Sequence, residues 1–363
     1  MVRPLDSQDL QDYAAFDMRY QGAGVERAAL STLPVVDLAQ FVKGTPRQRL
    51  AVAEQIRQAC IDIGFFYLLG HGLSQSEIDL VHGMGLKFFA LPLDEKMKTR
   101  TDNSSVRQGY IRTGGVNPDA AALDAADAKE RFGMGREIFA GEPLQGRYSA
   151  GNSQWPDDTV LPGFEALMKS HLQKRVEIGQ QLVQAFAMSL ELPETYFDRA
   201  FRYPGCSLFF NFYSPLSPEA RARNKWGFSP HTDYGAFTLL TQDALGGLQV
   251  RNAAGQWIEV PPLEGSLVVN IADMFAMWTN DVFTSSLHRA INLTDQPRIS
   301  LAFFFHPNGM EMIECLHTCK TAGNPERYPP LRAEQHMRRM VEQMNLTGRP
   351  GISERTAERL AGS

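Results

Sequence analysis

The sequence predicts a mainly β protein with flanking helices, its core a sandwich or barrel of the jelly-roll kind. Three observations carry that prediction. From residue 204 to 308 the chain runs in short segments with period-2 features, at 207–213, 237–240, 248–250, 256–258 and 266–270, the pattern of strands set against a core. Gly246-Gly247 and Asn252-Ala253-Ala254-Gly255 fall where hairpin turns belong. On either side of this stretch the apolar period shifts towards 3.6, the helical value.

In chain order, residues 1–33 show little periodicity and read as a leader. Pro34-Val35-Val36-Asp37-Leu38 is the first strand-like run. A helical pattern follows, with Leu50, Ala53, Ile56, Arg57 and Cys60 near one face. Glycines bound the aromatic run 64–70, as expected of a buried strand. Ser74-Gln75-Ser76-Glu77 is a capping box, and Ile78, Val81, Gly85 and Phe88 give the helix it opens an apolar face. Residues 100–155 are rich in Gly, Asn, Asp and Ser and read as loops with short strands. Pro162 is placed to start a long helix with Phe164, Leu167, Leu172, Val176, Leu182, Val183 and Phe186 as its stripe. Leu331, Met337, Met340, Val341 and Met344 mark a final helix that closes over the core. The organisation read from this is a leader (1–33), a mixed α/β N-terminal region (34–203), the jelly-roll core (204–308) and a C-terminal helical extension (309–363).

Composition narrows the function classes. The 363 residues are 43% hydrophobic and 21% charged with a net charge of −5, the balance of a globular protein without the basic stripe that nucleic acid demands. No apolar run approaches the roughly 20 residues of a membrane span, and no secretory signal is visible at the N-terminus. Four cysteines, Cys60, Cys206, Cys315 and Cys319, are too few and scattered for a disulfide framework, so reduced thiols and a cytoplasmic location are expected.

Chemistry is carried by two of the eight histidines. His231 and Asp233 form an H-x-D within extended chain, where positions i and i+2 face the same side. His288 stands 55 positions after Asp233. Two imidazoles and one carboxylate leave other coordination positions open, which suits Fe(II) oxygen chemistry better than a closed zinc site. Arg298 and Ser300 follow as another i, i+2 pair before an apolar run to Phe305. An arginine aimed into a barrel is expensive without an anion, and a guanidinium takes a carboxylate by two prongs. Asn211 and Tyr213 put two more polar groups on one face of an earlier strand.

The order H-x-D, H and R-x-S resembles that of the iron- and 2-oxoglutarate-dependent oxygenases of the isopenicillin N synthase-like family. Pro34–Leu38, Gly64-Phe65-Phe66-Tyr67 with His71-Gly72, Phe88-Phe89-Ala90-Leu91-Pro92 with Glu95-Lys96, Gly109-Tyr110, Gly246-Gly247-Leu248-Gln249-Val250, Trp257-Ile258-Glu259-Val260-Pro261 and Asn270-Ile271-Ala272-Asp273 are similar to family landmarks in the same order, over residues 34–308. The resemblance implies a double-stranded β-helix core in which His231, Asp233 and His288 hold Fe(II). Arg298 and Ser300 would bind the distal carboxylate of 2-oxoglutarate, with Tyr213 helping and Asn211 near the keto-acid end. His71 falls in a structural landmark, and His82, His171, His306, His317 and His336 match no ligand position. The implied reaction consumes O2, releases succinate and CO2, and hydroxylates, desaturates or cyclises a small molecule, as in secondary metabolism. Phe209, Tyr234 and Phe304 are candidate substrate contacts. The expected substrate is largely apolar or aromatic, although Arg112, Arg131 or Arg223 in loops could reach the pocket. No nucleic acid or membrane partner is expected, and the chain is expected to be a monomer or weak homo-oligomer. Two alternatives remain at this stage: an iron oxidase of the same fold that uses no 2-oxoglutarate, and a non-catalytic small-molecule binding protein.

Overall fold

Side chains cap the N-termini of the first three helices. The computed structural model describes residues 30–104, 108–112, 129–137, 141–142, 153–215, 227–292 and 294–347; most of the leader, Arg223 and the side chains of Val341 and Met344 lie outside them. After β1 (Val35–Asp37), the Asp37 carboxylate accepts from Ala39 N to open α1 (Leu38–Val42). Thr45 and Gln48 form a capping box, with a proline at the next position, for α2 (Pro46–Asp62). β2 (Phe65–Leu69) follows, and then the expected Ser74–Glu77 box opens α3 (Gln75–Phe89). α4 (Leu93–Lys98), β3 (Gly109–Ile111) and β4 (Lys129–Gly135) come next. The long helix α5 (Phe164–Ser189) begins two residues later than Pro162 suggested. Gly163, at φ 75°, is left-handed and stays outside the helix, its N–H donating to Asp158 Oδ1 at 2.8 Å.

The short α6 (Asp198–Phe201) leads into β5 (Gly205–Tyr213), β6 (Phe228–His231), β7 (Phe237–Gln242), β8 (Leu248–Arg251), β9 (Trp257–Val260) and β10 (Leu267–Ile271). α7 (Asp273–Trp278), β11 (His288–Ala290), β12 (Arg298–His306), the short β13 (Met312–Ile313) and β14 (Leu331–Arg332), and α8 (Ala333–Thr347) complete the chain. A major sheet has the order β1-β2-β10-β7-β12-β5-β4-β3, and a smaller one has the order β6-β11-β8-β9. Strands from before and after residue 204 therefore share one sheet. The fold is mainly β with flanking helices, and the solved relatives described below share its jelly-roll architecture. No described helix is long and apolar enough to cross a membrane.

Alternation along β5 and β12 divides the two faces of the major sheet. Leu208 and Phe210, with Ile299, Leu301, Phe303 and Phe305, join the large apolar core under α3 and α5. Gly85 lets α3 approach closely, since a Cβ there would stand 2.6 Å from the Phe210 ring and 2.7 Å from Ile299. On the other face a smaller apolar cluster lies between the sheets, with Phe65, Tyr67 and Val268 against Leu248, Val250 and Val260.

One polar network is buried on the helix side. Arg175 of α5, wholly inaccessible, donates to Leu239 O at 2.8 Å, to Thr241 Oγ1 at 3.2 Å and to His171 Nε2 at 3.0 Å. His82 Nε2 of α3 reaches the same Thr241 hydroxyl at 2.9 Å. Burial first, and the Arg175 charge second, push His82 down to about 4 and His171 down to about 2. Burial likewise holds His71 and His306 at about 4.

These values lie below the ordinary histidine range, so the unfolded chain binds protons that the folded chain refuses. Stability should therefore be full above about pH 6.5 and fall on acidification towards pH 4, by about 1.4 kcal/mol per pH unit for each such histidine. His82→Gln, which keeps a hydrogen-bonding group near Thr241, should flatten the slope by about one histidine's share. Urea unfolding at about pH 6.5, 5.5 and 4.5 measures both; an equal slope in the two proteins would remove His82 from the account.

Candidate active site

The two histidines singled out in the sequence are direct cross-strand partners. β11 runs antiparallel to β6 with His288 opposite His231, and directly opposed residues project from the same face. Their ring centres are 4.2 Å apart. Asp233 lies two residues beyond His231, in the turn before β7. Its Oδ1 is 3.7 Å from His231 Nε2 and 3.7 Å from His288 Nε2. One donor atom from each residue falls within 4.8 Å of the others, and all three residues are buried. Among the described residues this is the one group of three or more histidine, cysteine or carboxylate side chains so arranged. Two imidazole nitrogens and one carboxylate on one side of a point fit an open six-coordinate Fe(II) site.

Neighbouring groups fix the orientation of each donor. Asp233 Oδ2 accepts from Thr238 Oγ1 at 2.6 Å and from Asn270 Nδ2 at 2.7 Å, which leaves Oδ1 towards the imidazoles. His288 Nδ1 lies 3.2 Å from Ser286 O, so the proton sits on Nδ1 and the Nε2 lone pair is available. His231 is stacked on Phe228 at 3.9 Å, and Phe65 meets His288 edge-on at 5.3 Å. Asp273 N donates to Asp233 O at 2.9 Å, clipping the turn to the start of α7. Sequence reasoning assigned no role to Thr238 or Asn270. A usable signal existed for Asn270, the lone polar residue of an otherwise apolar strand, but not for Thr238, whose strand also carries Thr241 and Gln242.

A cavity lined by all three triad residues adjoins them. Arg298, Ser300, Asn211 and Tyr213 line it, together with apolar Phe65, Phe228, Leu240, Leu248, Ala302 and Phe304. Arg298 is almost wholly buried. Its Nε donates to Gly246 O, its guanidinium lies 4.5 Å above the Tyr213 ring, and Nη1 has no hydrogen-bond partner. Asp243 is its electrostatic neighbour, but that carboxylate accepts instead from Ile299 N at 2.6 Å and Leu245 N at 3.1 Å. Asn211 Oδ1 is also buried without a partner. A buried guanidinium with an unused donor matches a ligand that brings a carboxylate, whereas the free Asn211 oxygen can only accept and calls for a donor.

Three other expectations fall differently. Phe304 lines the cavity, whereas Phe209 packs edge-on against Phe304 at 6.0 Å and is outside the lining. Tyr234 is also outside it; following the inward Asp233 it turns away, and its carbonyl oxygen is 3.1 Å from His336 Nε2 of α8. Arg131, expected in a loop, is a residue of strand β4, while Arg112 is exposed. His71 behaves as a turn residue: Nδ1 accepts from Leu73 N at 3.2 Å and Nε2 reaches Gly265 O at 3.0 Å.

A jelly roll carrying a buried two-histidine, one-carboxylate cluster beside an unsatisfied arginine defines a class of non-haem iron oxygenases. The chain belongs to the 2-oxoglutarate- and Fe(II)-dependent oxygenase superfamily. That superfamily's model matches residues 204–307, and the model for the N-terminal region of non-haem dioxygenases in morphine synthesis matches residues 33–158. A 2-oxoglutarate-Fe(II) type oxidoreductase of Metarhizium majus is 32% identical over 83% of this chain and 84% of its own. A homoarginine-6-hydroxylase of Arabidopsis thaliana is 31% identical over 82% of this chain and 90% of its own. A full-length Neurospora crassa protein, crystallised in complex with alpha-KG, superposes with a TM-score of 0.76 at 28% identity, covering 89% of this chain and 99% of that one. A putative 2OG-Fe(II) oxygenase family protein from Caulobacter crescentus gives 0.75 at 28% identity, covering 87% and 100%.

The hydrogen bonds to Asp233 Oδ2 yield a direct test. Thr238→Val keeps the shape of the side chain and removes one donor. Fe(II) affinity, titrated anaerobically, should fall by about ten-fold or more, the usual effect of losing a group that orients a metal ligand. Thermal unfolding of the metal-free protein should change little, and unaltered iron affinity would show that Asn270 alone suffices to orient the carboxylate.

Proposed function

We propose that His231, Asp233 and His288 are the ligands of the Fe(II) that this enzyme uses. Arg298 and Ser300 would receive the distal carboxylate of its cosubstrate 2-oxoglutarate, with Tyr213 assisting and Asn211 at the keto-acid end. The observation that carries this is the buried, partly unsatisfied Arg298 lining the same cavity as the triad. A five-carbon keto diacid is long enough to chelate a metal at one end and meet a guanidinium at the other. The metal, when bound, supplies O2 activation coupled to decarboxylation, with succinate and CO2 as products. The chain's own groups do the rest. Thr238 and Asn270 hold Asp233 in one rotamer, Ser286 O sets the tautomer of His288, and Gly246 O and the Tyr213 ring hold the Arg298 fork ready. Phe65, Phe228, Leu240 and Leu248 exclude water from the reacting centre.

The primary substrate in this reading is a small organic molecule with an apolar or aromatic body. Phe304 forms one wall, with Phe209 behind it. The lining supports that class, and the reaction hydroxylates, desaturates or cyclises it. We further propose a cytoplasmic, monomeric or weakly associating enzyme of secondary metabolism that does not engage nucleic acid. Supporting features are four unpaired cysteines and a net charge of −5.

Arg298→Ala should raise the apparent 2-oxoglutarate constant by a few hundred- to a few thousand-fold, since breaking a buried charge-assisted pair costs about 3–5 kcal/mol. Arg298→Lys should recover only part of this, because an ammonium lacks the two-pronged geometry. Iron affinity should stay nearly intact in both. Succinate release per O2 consumed and anaerobic iron titration are the measurements. A variant whose 2-oxoglutarate constant is unchanged, but whose organic substrate binds poorly, would give the arginine to the substrate. His288→Ala should abolish both iron binding and succinate formation; near-normal iron affinity would redirect attention to buried His306.

A further inference from the structure

The outer face of the smaller sheet carries a side-chain assembly that the chemistry of the centre leaves unexplained. β11 pairs with β8 so that His288 stands opposite Val250, Arg289 opposite Gln249 and Ala290 opposite Leu248. Leu248, Val250, Ile258 and Val260 belong to the apolar cluster between the sheets. Gln249 and Trp257 alternate with these residues, and Arg289 is directly opposed to Gln249, so all three project from the opposite face. There Arg289 Nε donates to Gln249 Oε1 at 2.7 Å, and the guanidinium lies 3.9 Å from the centre of the Trp257 ring. One side chain of β11 thus crosses β8 and seats on β9. The cavity lining takes in Arg289 where the strand passes between His288 and Ala290, but the Nε donor and the ring contact are on the outer side.

Register is what such a tie decides. Towards β6 the pairing of β11 is irregular: His288 faces His231 and Ala290 faces Phe228, which leaves one residue of β6 over. Towards β8 the ladder is regular. Backbone bonds from Arg251 N to Leu287 O and from Ile291 N to Gly247 O, each 2.9 Å, extend it past both ends of β11. Backbone groups, however, are the same at every residue. A slip of two positions would re-form a ladder and keep alternate side chains on their faces, yet it would carry His288 away from His231. It would also bring Leu287 or Ile291 against Gln249, and neither can donate to the amide oxygen. The arginine distinguishes registers that the backbone cannot.

We propose that Arg289 is a positioning residue for the iron centre: clamped by Gln249 and the Trp257 ring, it holds β11 in the register that sets His288 opposite His231. This rests on the assignment of His231, Asp233 and His288 as the iron ligands, and it adds to them a residue that acts from outside the cavity. It also gives a shared purpose to Gln249 and Trp257, which stand in two of the sequence landmarks. Charge works in the opposite sense. A cation beside a metal site repels the metal, so removing it would by electrostatics alone tighten Fe(II) binding. Weaker iron binding without Arg289 is therefore a mark of positioning.

The experiment is an anaerobic Fe(II) titration of the full chain without 2-oxoglutarate, with the visible absorption of the Co(II)-substituted protein as a second readout. Arg289→Met keeps an unbranched stem and removes the charge and the donor. Gln249→Met removes only the acceptor and leaves the charge in place. Each should weaken Fe(II) binding by about ten-fold, the scale on which groups that orient metal ligands act, and each should alter the Co(II) bands. The double variant should bind no more weakly than Arg289→Met alone. Arg289→Lys should restore only part of the affinity, because an ammonium cannot donate sideways to Gln249 while lying flat on the ring. Should Arg289→Met fail to fold, Gln249→Met by itself decides the matter. The proposal is overturned if Gln249→Met binds Fe(II) like the unaltered protein, if Arg289→Met binds it as tightly or more tightly, or if the two losses simply add. It is also overturned if Arg289→Met keeps its iron and loses 2-oxoglutarate instead, which would give the arginine to the cosubstrate. Failure of the unaltered protein to bind Fe(II), or undiminished binding by His288→Ala, is a separate result and strikes the ligand assignment itself.

Discussion

The register that sets His288 opposite His231 is the constraint on which the site depends. β6 and β11 are only a few residues long, and neither would hold its pairing alone. β11 also pairs with β8, which carries Leu248 and Val250 into the apolar cluster between the sheets. A slip of one residue would send one imidazole to the opposite face. Asp233 then ties this small sheet to the large one, because its carboxylate accepts from Thr238 of β7 and Asn270 of β10. The donor cluster is therefore also a seam between the sheets.

The major sheet sustains two incompatible environments by strict alternation. Its helix-facing side is filled with Leu208, Phe210, Leu301, Phe303 and Phe305, a rigid apolar backing. Its inner side carries Arg298, Ser300, Asn211 and Tyr213. A buried arginine is tolerated there because Gly246 O and the Tyr213 ring satisfy part of it, while the rest is the part proposed to receive a ligand carboxylate. Arg175, on the helix side, is buried without that purpose. Its donors end on Leu239 O, Thr241 and His171, which ties α5 to the strand that also supplies Thr238. Mechanical support of β7 and orientation of Asp233 thus run through adjacent residues of one strand.

Much of this was legible without coordinates. The capping box at Ser74, glycine-bounded strands and period-2 runs are local signals, and each fixed an element near its observed place. The i, i+2 spacings of His231 with Asp233 and of Arg298 with Ser300 are equally local, since a strand's period of two decides which side chains share a face. The resemblance in motif order then joined the two spacings into one site. Less visible were α7, which begins within a landmark motif, and the membership of Arg131 in a strand, because residues 100–155 have a loop-like composition.

What the sequence by itself determined is therefore the inventory: which residues can bind a metal or an anion, and which face of its own element each one occupies. Only the tertiary structure decided the pairings between elements. Those include His288 against His231, Thr238 and Asn270 on one oxygen of Asp233, and Gly246 beneath Arg298. The physical reason is one of range. Side-chain direction follows from the backbone within two to four residues, whereas register between strands distant in sequence is set by the summed burial and hydrogen bonding of the whole sheet.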